Sequence, residues 1–221
     1  MTSLPEFFAQ IEPLLSGKID AAEFEARLGA SPCGPGRLFE YRERARAALH
    51  GILEPLFPAT RRAASATRHG LWVTLLHRFE SASPATHFAP SRFGRPFPKF
   101  LCALAAAGAL PDYLAEVADF EWLSFSLANG ARDGGSYFVR DYCCDVLEYV
   151  SKEPPGLPKR RALALVVYRS PRDGRVSVLQ PNAAERFALE ACGAKPPADM
   201  TERSIAAAER RLVRLGVLPA A

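Results

Sequence analysis

The chain has 221 residues, 48% of them apolar, and a formal net charge of +4. That is enough apolar material for one large or two small buried cores, which excludes disorder as a description of the whole. The longest apolar run, 101–110, is Ala-rich, breaks at Gly108 and Pro111, and falls short of the roughly 20 residues that cross a bilayer.

Glu6 stands where a secretory signal would be basic, and no sustained apolar stretch follows it, so the reading is of a cytoplasmic protein. The cysteines (Cys33, Cys102, Cys143, Cys144, Cys192) are odd in number and form neither a CxxC nor a Cys/His pair at metal spacing. They read as reduced packing thiols. Charge is blocked along the chain, with basic segments at 37–100 and 151–221 flanking an acidic one at 101–150. Such blocks suit nucleic acid, an acidic peptide or an oppositely charged protein, or are solvated helix faces.

In chain order, Phe7, Phe8, Ile11, Leu14 and Leu15 recur at helical spacing, and Asp20 is placed to cap a second short helix holding Phe24 and Leu28. The run 29–36 is a connector. Residues 37–57 predict a helix with Leu38, Tyr41, Ala45, Leu49, Ile52, Leu53 and Leu56 inward and Pro58 ending it. Another helix is expected over 71–79, then an aromatic Pro/Gly loop at 88–98 and helices at 96–110 and 111–127. The turn-rich NGARDGGS at 129–136 marks the expected boundary between a helical domain, 1–130, and a second domain, 136–221. Beyond it the period changes. Strands are expected at 146–150, 163–168 and 175–179, the last two joined through Asp173 and Gly174, then helices near 182–192 and 199–215 with Gly216 as the stop. The fold class is therefore α+β: a helical domain, then a small three-stranded antiparallel sheet with helices, of winged-helix kind.

No catalytic or metal constellation is evident. His50, His69, His77 and His87 show no HExxH-like spacing, and no GxSxG, Walker loop or GxGxxG occurs. Vicinal Cys143 and Cys144, if in a strand, point to opposite faces, so one packs and the other is exposed. The last strand, 175–179, falls at a sheet edge, where unpaired backbone groups accept an extended peptide. Arg172, Arg175, Arg203, Arg210 and Arg214 would surround it if the final helix packs beside it. The same geometry serves a DNA-binding transcriptional regulator, the alternative, although Glu202, Glu209 and Ala206–Ala208 suit base readout poorly.

Several stretches resemble the HvfC/BufC-like family, long labelled as DNA-binding, and within it the methanobactin-biosynthesis, MbnC-like branch. They are LFEYRERARAALHGILEPLFPATRR (38–62), SPATHFAPSRFGRPFPKFL (83–101), LPDYLAEVADFEW (110–122) and LALVVYRSPRDGRVSVLQPNAAERFALEACG (163–193). The compact stretch from Arg62 to Leu71 is what favours that branch. The resemblance implies an accessory, non-catalytic subunit that carries no cofactor and forms a heterodimer with a TIM-barrel iron-dependent oxygenase, MbnB/HvfB-like, in which the iron resides. It implies capture of a precursor-peptide leader by strand addition, so that core cysteines become the oxazolone and thioamide groups of a copper chelator. Carried over, peptide pairing falls on Arg175, Val176, Ser177, Val178 and Leu179, with support from Arg203, Ala207, Arg210 and Arg214. Docking on the oxygenase falls on Arg42, Arg46, Phe93 and Phe97.

Overall fold

Helices fill the first part of the chain and one small antiparallel sheet the second, an α+β fold as expected. The computed structural model describes residues 11, 13–14, 19–28, 34–82, 93–130, 137–152, 156–190, 196–197 and 199–219. The expected helix over Phe7 and Phe8, the side chain of Arg42 and the turn at 131–136 lie outside the described residues. Two compact units are present, Met1–Phe100 and Leu101–Ala221.

In the first unit, Asp20 caps α1 (Ala21–Leu28) as expected, its Oδ1 accepting the Glu23 N–H at 2.8 Å. Phe24 there joins Leu14 and Ile19 in a small apolar cluster. The long helix α2 (Gly34–Leu56) starts three residues before the expected 37, because Pro35 fits a first helical turn that needs no N–H donor. Pro58 ends α2 and also opens α3 (Pro58–Thr67). The sequence reading assigned no helix there. Its alanines are the reason it forms: Ala59, Ala63 and Ala64 are buried and let the backbone pack close.

Helix α4 (Leu71–Ala82) buries Leu71, Trp72, Leu75, Leu76 and Phe79. Around Phe97, which opens α5 (Phe97–Ala106), the aromatic rings pack edge-to-face or tilted: Phe57 at 4.8 Å, Phe79 at 5.0 Å and Trp72 at 5.7 Å between centroids. Phe93 adds to this core at 5.5 Å from Phe79. Phe93 and Phe97, 5% and 0% exposed, are therefore core residues and not the docking surface the family resemblance put there. Aromatics in a Pro/Gly loop satisfy either role by pattern alone. Burial decides it.

The division between units falls inside α5, ahead of the boundary expected at 129–136, because α6 (Asp112–Ala128) packs on the sheet of the second unit. The first strand, β1 (Tyr137–Cys144), begins nine residues before the expected strand at 146–150, and that stretch is helical, α7 (Val146–Lys152). Asp145 causes the switch. Its Oδ1 accepts the Glu148 N–H at 2.9 Å as an N-cap, and its Oδ2 is held by Arg161 at 2.9 Å. Apolar Val146–Val150 is equally compatible with either period; the capping carboxylate selects the helix.

Strand β2 (Arg160–Arg169) is central and pairs antiparallel with β1 on one side and with β3 (Val176–Leu179) on the other. The register puts Tyr137, Val139, Val166, Tyr168 and Leu179 on one face, under α8 (Ala183–Glu190) and α9 (Glu202–Leu215). Tyr142, Leu163, Leu165 and Val167 share the other face, where Asp119 and Phe120 of α6 meet Tyr142. Glu185 ties α8 down. It is 1% exposed, completes a reciprocal capping box with Asn182 (both bonds 2.9 Å), and pairs with Arg211 of α9.

The hairpin 170–175 is looser than a two-residue turn. Ser170 donates to Arg175 O at 2.8 Å, and Gly174, at φ +68°, donates back to Ser170 O. Gly216 ends α9 in the left-handed region at φ +74°, as expected, and a Cβ there would stand 2.2 Å from Pro171 Cγ of that hairpin.

Gly216→Ala is expected to destabilise the protein by about 2–4 kcal/mol, combining left-handed strain with displacement of Pro171. A urea midpoint unchanged from the parent would contradict it. Glu185→Ala should cost about 2 kcal/mol by removing a cap and the Arg211 partner together, read by the same titration, while Arg211→Ala alone should cost less because Arg211 is half exposed.

Candidate functional site

Both β1 and β3 are edge strands, and their backbones differ in what they leave open. In an antiparallel ladder alternate residues turn N–H and C=O toward the neighbour. The Ser170–Arg175 bond sets that alternation on β3. Arg175, Ser177 and Leu179 therefore face β2, and Val176 and Val178 turn their backbone groups outward. The five residues assigned to peptide pairing thus separate into two that can bond an incoming chain and three that hold β3 in place. All four β3 side chains are half-buried.

On β1 the last two amides are taken. A bulge lies between Tyr142 and Cys144, and it turns two consecutive amides to the same side. Glu116 of α6 accepts both, from Cys143 N–H at 2.8 Å and Cys144 N–H at 3.0 Å. In its middle β1 is held by side-chain pairs: Arg186 of α8 forms a bidentate pair with Asp141 at 2.6 and 2.7 Å, and Asp119 receives Tyr142 Oη at 3.0 Å and Arg140 Nε at 3.3 Å. Neither edge has a further strand beside it among the described residues, and it is the C-terminal end of β1 that a side chain closes.

Arg203, Ala207, Arg210 and Arg214 are all exposed and share one stripe of α9, while Ala208 and Leu212 turn inward. Arg172 and Arg175 are exposed on the hairpin that leads into β3. The side chains of α9 that meet the sheet do so through Leu212 and Leu215, in the cluster that includes Leu179. The arginine stripe lies off that packing face.

Cys143 is exposed and Cys144 buried, the alternation expected of a strand. Neither is poised as a nucleophile. The Glu116 carboxylate holds the Cys143 thiol above its ordinary pKa, and burial followed by Glu116 does so for Cys144. Burial and Asp119 likewise push the Tyr142 hydroxyl up.

In the first unit, Arg46, which the resemblance assigns to docking, is engaged within the chain. Its guanidinium grips buried Glu80 through Nε at 2.9 and 3.2 Å and Glu43 through Nη1 at 2.8 Å. His50, one turn on from Arg46, brings Nε2 to 3.8 Å from Glu80 Oε2, and His77 brings Nδ1 to 4.0 Å from the same oxygen. The three can offer one ligand atom each, all within 4.8 Å of one another. This cluster went unseen in the sequence because its third member comes from another helix. The legible part was His77-Arg-Phe-Glu80, two ligand types at i, i+3 on one face of α4.

Glu116→Gln is expected to shift the alkylation profile of Cys143 to lower pH, since the carboxylate that disfavours the thiolate is gone. Peptide-resolved iodoacetamide labelling across pH reads this directly. An unmoved profile would remove Glu116 from the account. Neither a scan against protein-family models nor a search of curated proteins returned a match for this chain.

Proposed function

We propose that this chain is a non-catalytic, cytoplasmic peptide-recognition subunit, which captures the leader of a ribosomally made precursor by adding it as a strand beside β3. The carrying observation is the β3 edge: Val176 and Val178 turn their backbone groups outward, while on the β1 edge Glu116 takes the Cys143 and Cys144 amides. Exposed Arg172 and Arg175 beside that edge, and the Arg203, Arg210 and Arg214 stripe on α9, favour an acidic leader. The sequence resemblance supplies the rest of the reading. A TIM-barrel oxygenase partner holds the iron and converts core cysteines to oxazolone and thioamide groups, leaving this chain without a reaction of its own. The raised thiol pKa values of Cys143 and Cys144 agree with that division of labour, because neither supplies a ready thiolate.

The alternation along β3 makes a paired test. Val178→Pro deletes an outward donor and leaves the β2 ladder intact, whereas Ser177→Pro deletes a donor that faces β2. Titrating a labelled leader peptide, taken from a precursor encoded beside this chain, into each variant should show Val178→Pro folded and at least about tenfold weaker in binding. Ser177→Pro should lose thermal stability. A folded Val178→Pro with parental affinity would falsify docking on β3. Co-expression with the neighbouring barrel protein is expected to yield a one-to-one complex on size exclusion; salt-sensitive duplex binding by the chain alone, without peptide affinity, would turn the assignment to a DNA-binding regulator.

A further inference from the structure

We infer that His50, His77 and Glu80 form a binding site for a single divalent cation of the zinc class, between α2 and α4 of the first unit. The inference is independent of peptide capture at β3. Two imidazoles and one carboxylate are the donor set that such borderline ions take, usually three protein ligands with one position left to solvent. Here the donors approach one another from two helices, with ligand atoms within 4.8 Å. A tetrahedral ion with bonds of about 2 Å needs donor atoms about 3.3 Å apart, a contraction within the reach of side-chain rotation.

Three further observations favour an ion over a simple polar cluster. His50 Nε2 is buried and makes no hydrogen bond, although it points to within 3.8 Å of a carboxylate oxygen. Buried polar atoms in folded proteins are nearly always paired, so an unpaired nitrogen aimed at a carboxylate marks a missing partner. Glu80, the carboxylate on which it converges, is itself only 4% exposed and so is withdrawn from bulk water. His77 is about half exposed and gives the site a side open to water.

Arg46 is the obvious objection, because a guanidinium already sits on Glu80. Its arrangement resolves the conflict. Arg46 reaches both Glu80 oxygens through Nε and keeps Glu43 as a second carboxylate through Nη1, so Oε2 can turn to an ion while Oε1 stays with Arg46. Ligating carboxylates are ordinarily held in this way by an outer hydrogen-bond partner. Two carboxylates, Glu43 and Glu80, share the one guanidinium of Arg46, which leaves the acidic groups in excess beside the two rings.

The test uses the full chain, stripped with a chelator and titrated with Zn²⁺ by calorimetry and with Co²⁺ by visible absorption. One ion per chain is expected, with Co²⁺ bands of a four-coordinate site and no competition from Mg²⁺. His77→Ala, on a half-exposed side chain that should leave the fold intact by circular dichroism, is expected to weaken Zn²⁺ binding at least about tenfold, and His50→Gln likewise. Absence of saturable Zn²⁺ binding, or one-to-one binding of parental strength in folded His77→Ala, would overturn the assignment.

Discussion

The burial of β2 on both faces is the constraint from which the second unit follows. Leu165, Val166 and Val167 are all essentially inaccessible, so three consecutive residues are covered although their side chains alternate in direction. That requires cover on both sides of the sheet. Helix α6 supplies one cover and α8 with α9 the other. Once both faces are closed, the sheet can meet another molecule only through its edges, and β1 and β3 become the sole backbone surfaces in question.

Buried or half-buried carboxylates then decide how those edges and covers are arranged. Asp145 turns the end of β1 into a helix, Glu185 starts α8 while gripping α9, and Glu116 occupies the amides that the β1 bulge exposes. Each of these acids has its oxygens fully engaged in organising backbone or neutralising an arginine. Glu80 differs. It has an arginine partner too, yet two histidine nitrogens also converge on it without a hydrogen bond.

Much of this architecture was legible in the residues. Asp20 as a cap, Gly216 as a helix stop, the strand over 163–168 and the helices over 37–57, 71–79 and 111–127 all declared themselves through local rules that tertiary context did not override. What failed did so for identifiable reasons. The segment 146–150 is apolar in either period, and α3 hides because its buried stripe, Ala59, Thr60, Ala63 and Ala64, is made of side chains too small to announce a core face. Phe93 and Phe97 belong to the core because several helices meet there, which no local pattern encodes. The candidate peptide edge was visible as a position in chain order; which of its residues turn outward depends on the hairpin's hydrogen bonding, and that required coordinates. Convergence of His50 with His77 and Glu80 likewise belongs to helix packing, not to spacing along the chain.

The brevity of β3 has a thermodynamic corollary. Two outward residues offer about four backbone hydrogen bonds, and at roughly 1 kcal/mol each they sustain little more than millimolar attachment. Tighter association there would have to come from side chains, so in the proposed role discrimination among peptides would rest with the arginines and valines instead of the shared backbone. An edge this short also gives identical copies little to zip along, which limits edge-to-edge self-pairing.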